Sequence, residues 1–274
     1  MKLVTFNILH GRTPGDGVDL DRFAECVARL DADILALQEV DSIQARSGLA
    51  DLTALAADAM GARSHRFVAA IAGTPGATWM AATGEEQPGT AAYGVALLSR
   101  YPALNWQVLR LPRIPFRFPM YLSAPRRVQI IDEEPRAAVI GQFDTPLGNL
   151  TVVNTHLSFV PGWNRVQLHR LMRDVRGLPW PRIVTGDLNM SAAAARRWSG
   201  LRQLASAPTF PADRPVSQLD HVLTDDPALT PTACRTPRMP ISDHRPVVVD
   251  LQHRPEGRHL GAPGEESLWR SENR

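Results

Sequence analysis

Short apolar runs that each stop at a carboxylate, an amide or an imidazole set the strongest constraint on how this chain can fold. Residues 2–8 (KLVTFNI) close on Asn7, and 33–38 (DILALQ) run into Glu39. The run at 149–155 closes on Asn154 and His156, and IVTGDLN closes on Asp187 and Asn189. Asp220 sits at the start of QLDHVL, and Asp243 and His244 come just before the run RPVVVDL. Continuous runs this short read as buried strands. A sheet gathers its strand ends along one edge, so these polar residues are expected together. Burying so many of them beside apolar strands is costly unless they serve a metal or one another. Singly, each has a plain explanation as a turn or cap residue. The repetition is what points to a site.

Periodicity supplies the other elements. Further strands are expected at 66–71, 94–99, 128–132, 136–143, 182–187, 218–224 and 246–251. One helical pattern begins at Asp19 and runs through Phe23, Val27 and Leu30, and a second covers Leu49 to Met60, ended by Gly61. A third covers Asn164 to Val175, where Leu168, Leu171, Met172 and Val175 recur at helical spacing. Ser191 is a helix cap, and Gly148-Asn149 reads as a hairpin turn. Residues 72–92, rich in Gly, Thr, Ala and Pro, read as a long surface loop. Residues 110–127, broken by Pro112, Pro115, Pro119 and Pro125, read as an irregular one. Strands outnumber helices and many are joined by hairpin-length links, which implies a mixed α/β architecture with at least one pair of sheets. Residues 1–252 are expected to form one domain. Residues 253–274, with five Gly and Pro and no apolar period, are expected to be a disordered tail.

Composition closes off some functions. The 274 residues suffice for one large core. A net charge of +2 excludes a chain that coats nucleic acid by charge alone, leaving room only for a local basic patch. Lys2 is the only lysine, a bias expected of GC-rich codons. Cys26 and Cys234 fit no metal or redox spacing, and Cys26 falls on the core face of its helix. The N-terminus enters a strand without a leader, and no apolar run reaches the roughly 18 residues that cross a bilayer. A cytoplasmic monomer with no integral membrane association is expected.

Taken in order, TFNILHG (5–11), LQEVD (37–41), GVALLSR (94–100), EPRAAV (134–139), VNTHLS (153–158), GDLNM (186–190), QLDHVL (218–223) and SDHRPV (242–247) resemble the endonuclease/exonuclease/phosphatase superfamily. That family includes DNase I-like nucleases, sphingomyelinases and inositol polyphosphate 5-phosphatases. The resemblance spans residues 2–251, making 1–252 the catalytic domain. It implies a four-layer α/β sandwich, two packed mixed β-sheets flanked by helices, with the site at one end. It also implies metal-dependent hydrolysis of a phosphate ester. Glu39 becomes the main metal ligand with Asn7 beside it, and Asp243 joins the metal or its surroundings. Hard oxygen ligands suit Mg²⁺ or Mn²⁺ and not zinc. Asp187 orients or deprotonates the attacking water, Asn189 hydrogen-bonds the phosphate, and His156 donates to a phosphoryl oxygen. His244 serves as general base or as a phosphate-binding cation, with Asp220 on its other ring nitrogen. Which of Asp187 and His244 takes the proton is open at this point. Arg136 and Asn154 are expected near the substrate, Arg136 having a salt bridge to Glu133 or Glu134 as its alternative. No G-x-S-x-G elbow supports a serine nucleophile, and GRTPGDG (11–17) lacks the lysine of a P-loop.

For the substrate, VNTHLS places a histidine where the abasic-site endonuclease branch carries a tyrosine-containing motif. The likeness is therefore closer to the DNase I, sphingomyelinase and phosphatase branches. The 110–127 loop interleaves Arg110, Arg113, Arg117, Arg126 and Arg127 with Phe116, Phe118 and Tyr121. Such a pattern fits single-stranded nucleic acid through phosphate contacts and base stacking. It equally fits an anionic membrane surface or a phosphoinositide headgroup, or aromatics that dock the loop while the arginines stay solvated. Trp79 and Trp163 either flank the cleft or pack. A nuclease acting on DNA or RNA is the first expectation. A phosphatase or phospholipase C-like enzyme on inositol phosphates or sphingomyelin-type lipids is the second, and a binding protein without catalysis a remote third.

Overall fold

The structure, a computed structural model, describes residues 1–13, 15–123 and 126–254. In chain order its strands are β1 (Lys2–Asn7), β2 (Arg12–Thr13), β3 (Gly17–Val18), β4 (Ile34–Ser42), β5 (Ser64–Gly73), β6 (Trp79–Ala81), β7 (Ala92–Ser99), β8 (Ala103–Leu111) and β9 (Phe118–Ser123). There follow β10 (Arg126–Ile131), β11 (Arg136–Thr145), β12 (Gly148–His156), β13 (Arg182–Asp187), β14 (Arg202–Gln203), β15 (Asp220–Thr224), β16 (Leu229–Arg235) and β17 (Val247–His253). The α-helices are α1 (Leu20–Leu30), α2 (Leu52–Met60), α3 (Trp163–Val175) and α4 (Ala192–Ser199). Among the described residues no helix is long and apolar enough to cross a membrane.

Two mixed sheets pack face to face. One has the order β16-β17-β1-β4-β7-β5-β6 and the other β14-β15-β13-β12-β11-β8. Between them lie Leu3, Ile34, Leu97, Val139, Phe143, Val152, Ile183, Val222 and Val249, all buried. The outer face of the first sheet is covered by α1 and α2, through Phe23, Val27, Leu52 and Ala56. That of the second is covered by α3 and α4, through Leu168, Leu171 and Ala195. The strands are apolar on both faces because both faces are covered, which is why they read as continuous runs without alternation. Three of the four helices start where a side chain satisfies their free N–H groups. Asp19 accepts from the Arg22 N–H, and Asp51 accepts from Thr53 and Ala54, so α2 begins at Leu52, three residues after its expected start. Ser191 caps α4 as expected.

The topology brings the functional strand ends together. Each sheet contains one parallel pair joined through a helix, β1 with β4 and β12 with β13. Ligand sites in α/β sheets lie at the carboxyl ends of parallel strands. Both pairs end at the same edge of the sandwich. Strands β15 and β17 run antiparallel to their neighbours and so begin there: Asp220 lies opposite Asp187, and Val247 opposite Thr5.

Behind that edge, amide hydrogen bonds join the sheets in addition to their apolar packing. Asn154 on β12 donates to the carbonyls of Leu37 (2.9 Å) and Ala96 (2.8 Å) and accepts from Gln38 Nε2 (2.7 Å). This corrects its expected place near the substrate. Asn154 lies two residues deeper than His156 on the same face of β12, where the opposite sheet takes up its whole amide.

Other expectations shift. The 110–127 region is not irregular throughout: β8 reaches Leu111, and β9 and β10 form a separate two-stranded ribbon in which Pro119 pairs with Ile130. A ribbon tolerates a missing N–H that a sheet interior would not. The strand expected at 128–132 is the second half of that ribbon. Residues 72–92 contain the short β6, paired with β5. Strand β16 escaped notice because it is an exposed edge, bulged between Pro231 and Ala233. The β11–β12 reversal falls on Pro146-Leu147, one pair earlier than expected, since Thr145 pairs with Gly148. Residues 255–274, most of the expected tail, lie outside the described residues.

Replacing Asn154 with Ala removes its hydrogen bonds to two buried carbonyls and leaves the Gln38 amide with only Thr5 Oγ1 and the Ala36 carbonyl as acceptors. The loss expected is roughly 2–4 kcal/mol of unfolding free energy, read from urea denaturation. An unchanged midpoint would remove the amide from any role in joining the sheets.

Candidate active site

Asn7 occupies the meeting point of the two sheets. It ends β1, and its Nδ2 donates to Glu39 Oε1 at 3.0 Å and to Asp187 Oδ2 at 3.0 Å. The first acceptor belongs to its own sheet and the second to the opposite one. Its Oδ1 accepts from the Leu9 N–H at 3.1 Å.

Glu39 reaches Asn7 because β4 is interrupted. The register with β7 slips between Gln38 and Val40, and Glu39 takes a φ of 57°. A bulge re-aims a side chain in this way, and a non-glycine residue in the left-handed region marks strain held by its surroundings. Asp187 depends on the residue before it. A Cβ on Gly186 would lie 1.9 Å from the Thr155 carbonyl oxygen, so only glycine lets β13 approach β12 closely at that point.

Asp187 is buried, with Oδ1 accepting from the Asn189 N–H (3.0 Å) and Oδ2 held by Asn7. Two histidines face it. His156 Nε2 is 3.5 Å and His244 Nε2 3.8 Å from Asp187 Oδ2. Asn189, at a φ of 49°, donates to the Leu157 carbonyl (3.0 Å) and places the same amide nitrogen 3.2 Å from His156 Nε2. Asp220 Oδ2 and His244 Nδ1 are 2.9 Å apart and buried. Phe210 packs on the His244 ring at 4.9 Å. Ser242 orders the loop by donating to the Asn7 carbonyl at 2.6 Å and accepting from the His244 N–H at 3.1 Å.

The two imidazoles have opposite electrostatics. Burial works against a charged His244. The Asp220 carboxylate outweighs it by charge and hydrogen bond, followed by Asp187 and Asp243, and the pKa is held up at about 10. For His156, burial and then the Arg136 and His244 charges push the pKa well below the usual value. Arg136 NH1 lies 3.3 Å from His156 Nδ1 and the Asn189 amide nitrogen 3.2 Å from Nε2, so donors flank both ring nitrogens and disfavour a second proton on the ring. Burial, then the Asp220 charge, raise Asp187 to about 7 against the pull of His244. Burial also raises Glu39, against the Asn7 hydrogen bond and His244, with Asp243 adding to the rise.

Two groups of side chains fit a cation. Asp187, Asp220 and His244 offer one ligand atom each, all within 4.8 Å of one another. Glu39 and Asn7, hydrogen-bonded at 3.0 Å, and Asp243, whose charge reaches Glu39, offer oxygen donors only. The second is the one without an imidazole, and among the described residues the half-buried Glu39 carboxylate accepts a side-chain hydrogen bond from Asn7 alone. Oxygen-only donors match a hard divalent ion. Arg136 stands 3.8 Å from Glu133, one of its two expected salt-bridge partners, and 3.3 Å from His156 Nδ1.

The structure adds residues that were not singled out. Glu134 is raised by burial and feels the charges of Arg136 and Glu39. Tyr93 is buried among Glu39, Arg136, Glu134 and Arg46. Glu134 opens EPRAAV and was expected only as a salt-bridge partner of Arg136, and Tyr93 directly precedes GVALLSR, where no spacing marks it.

Comparison with known proteins agrees with this geometry. Residues 4–244 match the family described as the Endonuclease/Exonuclease/phosphatase family. No curated protein sequence matches the chain. Among solved structures, it is similar to an endonuclease/exonuclease/phosphatase from Beutenbergia cavernae (21% identity, TM-score 0.66), covering 92% of this chain and 71% of that one. It is also similar to a mannosyl-6-phosphatase from Bacteroides thetaiotaomicron (18%, 0.59; 92% and 99%). A beta toxin from Staphylococcus aureus gives 15% and 0.58, with 91% and 99% covered. At these identities the likeness is one of fold.

In the metal-free protein, the His244 imidazole is expected to titrate at about pH 10 by NMR. Asp220→Asn should lower that value by roughly 1–3 pH units. The same titration curve in both proteins would dissolve the pairing.

Proposed function

The chain belongs to the endonuclease/exonuclease/phosphatase family, and we propose that it is a divalent-metal-dependent phosphoric ester hydrolase. The observation that carries the reading is the Asn7 amide, which bonds Glu39 and Asp187 at once. It holds an oxygen ligand for a cation and a carboxylate for a water in fixed relation across two sheets.

Glu39 would hold Mg²⁺ or Mn²⁺, with Asn7 and Asp243 beside it. When bound, such an ion supplies charge neutralisation on the phosphoryl and leaving oxygens. The remaining work falls to this chain's side chains. Asp187 orients the attacking water and takes its proton. His244, facing three carboxylates, stays an imidazolium and stabilises charge on a phosphoryl oxygen. On this reading Asp187, and not His244, is the base. Asp220 keeps the His244 ring turned and charged. Neutral His156 and the Asn189 amide contribute directed hydrogen bonds to the phosphate, and Arg136 fixes the His156 ring from behind.

Less of the nucleic-acid reading survives. Arg113 and Arg117 both pair with Asp132, at 3.2 and 3.0 Å, and Arg113 also covers the Trp79 ring. Arg110 donates to the Ala69 carbonyl. Trp163 Nε1 donates to the Pro112 carbonyl at 3.0 Å, which makes it a packing residue. The side chains of Tyr121, Arg126 and Arg127 lie outside the described residues. Phe116 is left as an exposed aromatic. The substrate is therefore proposed as a phosphate ester, and an assay on DNA, RNA, inositol phosphates and sphingomyelin separates the polymer from the small-molecule and lipid readings.

Asp187→Ala and His244→Ala are each expected to lower kcat by about 10²–10⁴-fold with little effect on folding. Near-normal turnover in either would defeat the assignment. Glu39→Gln should raise the Mg²⁺ concentration needed for half-maximal rate, and an unchanged metal dependence would exclude Glu39 as the principal ligand.

A further inference from the structure

Outside the machinery above, one cation is unusually well built. Arg46 donates to Asp41 twice, from Nε to Oδ2 at 2.8 Å and from NH2 to Oδ1 at 2.7 Å. Asp41 is fully buried, two residues beyond Glu39 on β4. The guanidinium also lies 5.4 Å above the ring of Tyr93, the residue opposite Asp41 on β7. The loop that presents it is held tightly. Gln44, buried, donates to the Gly73 carbonyl at 2.7 Å and the Ala92 carbonyl at 3.1 Å, and the Ile43 N–H donates to Ala50 at 3.0 Å.

A buried carboxylate needs a counter-charge, and that alone would account for two of the three guanidinium nitrogens. Stability gives little reason to keep such a pair, since two well-packed apolar residues serve as well. Among the described residues no hydrogen bond engages the third nitrogen, and Arg46 keeps a third of its side chain exposed. Its neighbours are those of the cleft: the Glu39 charge is felt at Arg46, and the Arg46 charge at Glu134 and Tyr93.

His10 comes to the same flank. Leu9 and His10 both take the left-handed conformation, at φ 44° and 48°, directly after the strand that ends in Asn7. Two such residues in succession are costly and are kept where the surroundings demand them. Its Nδ1 is buried with no hydrogen-bond partner. Burial and the Arg46 charge keep the ring neutral, with its pKa down at about 4. A buried polar atom without a protein partner, beside a fixed cation, has hydrogen-bonding capacity left for a water or a ligand.

We propose that Arg46, Tyr93 and His10 form a second anion-binding subsite on the Glu39 flank of the cleft, which takes a phosphoryl group other than the one hydrolysed. The inference rests on the hydrolase reading for the scissile phosphate, whose contacts are His156, Asp187, Asn189 and His244. Arg46 supplies the charge through its remaining nitrogen, and the phenol of Tyr93, kept protonated by burial, supplies a donor. The neutral His10 ring supplies another. The second phosphoryl group could belong to the neighbouring nucleotide of a strand or to a polyphosphorylated headgroup. Both offer the same chemistry to a guanidinium.

Binding calorimetry in Mg²⁺ tests this in an Asp187→Asn background, so that turnover does not intrude. Adenosine 5′-monophosphate is compared with adenosine 3′,5′-bisphosphate, and inositol 1-phosphate with inositol 1,4-bisphosphate. In at least one pair the bisphosphate should bind about ten-fold tighter or more, and the pair that shows it identifies the source. Adding Arg46→Met with Asp41→Asn, which leaves no buried charge unpaired, should abolish the preference while monophosphate affinity stays within about two-fold. Equal binding of mono- and bisphosphates in both pairs, or a preference that survives loss of Arg46, would overturn the subsite. A wild-type protein that hydrolyses no phosphate ester while the preference persists would defeat the hydrolase reading and leave the subsite standing.

Discussion

Hydrogen bonds from three amides hold two apolar sheets in one fixed relation, and the site exists only because they do. Apolar packing between sheets is non-directional and tolerates sliding, whereas an amide with two acceptors does not. Asn154 and Gln38 set the spacing within the core, and Asn7 sets it at the edge. Each such bond contributes only about 1 kcal/mol net. Their weight lies in what they forbid: without them Glu39 and Asp187, on different sheets, would have no defined separation.

The same edge concentrates unfavourable charge. Asp187 and Asp220 are carboxylates removed from water and Glu39 is partly so, and loss of solvent raises Asp187 and Glu39. The chain offsets part of this with the His244 imidazolium and part with the amide hydrogens of Asn7. What is left uncompensated around Glu39 is the opening for a cation. Strain accompanies charge here, since Leu9, His10, Glu39 and Asn189 all hold left-handed backbone conformations within or beside the cleft. Stability is given up locally to keep these groups in place.

Much of this was legible in the sequence, for identifiable reasons. Strands buried on both faces announce themselves as unbroken apolar runs, and their polar ends are conspicuous against them. Glu39, Asp187, Asp220 and His244 could all be picked out in that way. Residue type at a strand end does not reveal depth, however. Asn154 and His156 share a face two residues apart, and only the position of the opposite sheet decides that one is core and the other site. The bulge at Glu39 carries no glycine to mark it. Tyr93 and Arg46 belong to the cleft through a cross-strand pair and a loop, contacts that no local spacing encodes. Edge and ribbon strands such as β9 and β16 were hidden by prolines that solvent-facing strands tolerate.

The proposed cation has two candidate places at this edge, the oxygens around Glu39 and the cluster of Asp187, Asp220 and His244. Assigning the ion to the first and the water and phosphate chemistry to the second is the central claim, and anomalous diffraction from crystals soaked in Mn²⁺ tests it directly. The expected result is one strong peak about 2.2 Å from a Glu39 carboxylate oxygen, with His244 Nδ1 still hydrogen-bonded to Asp220. A peak on His244 Nε2 and Asp187 with none at Glu39 would contradict it.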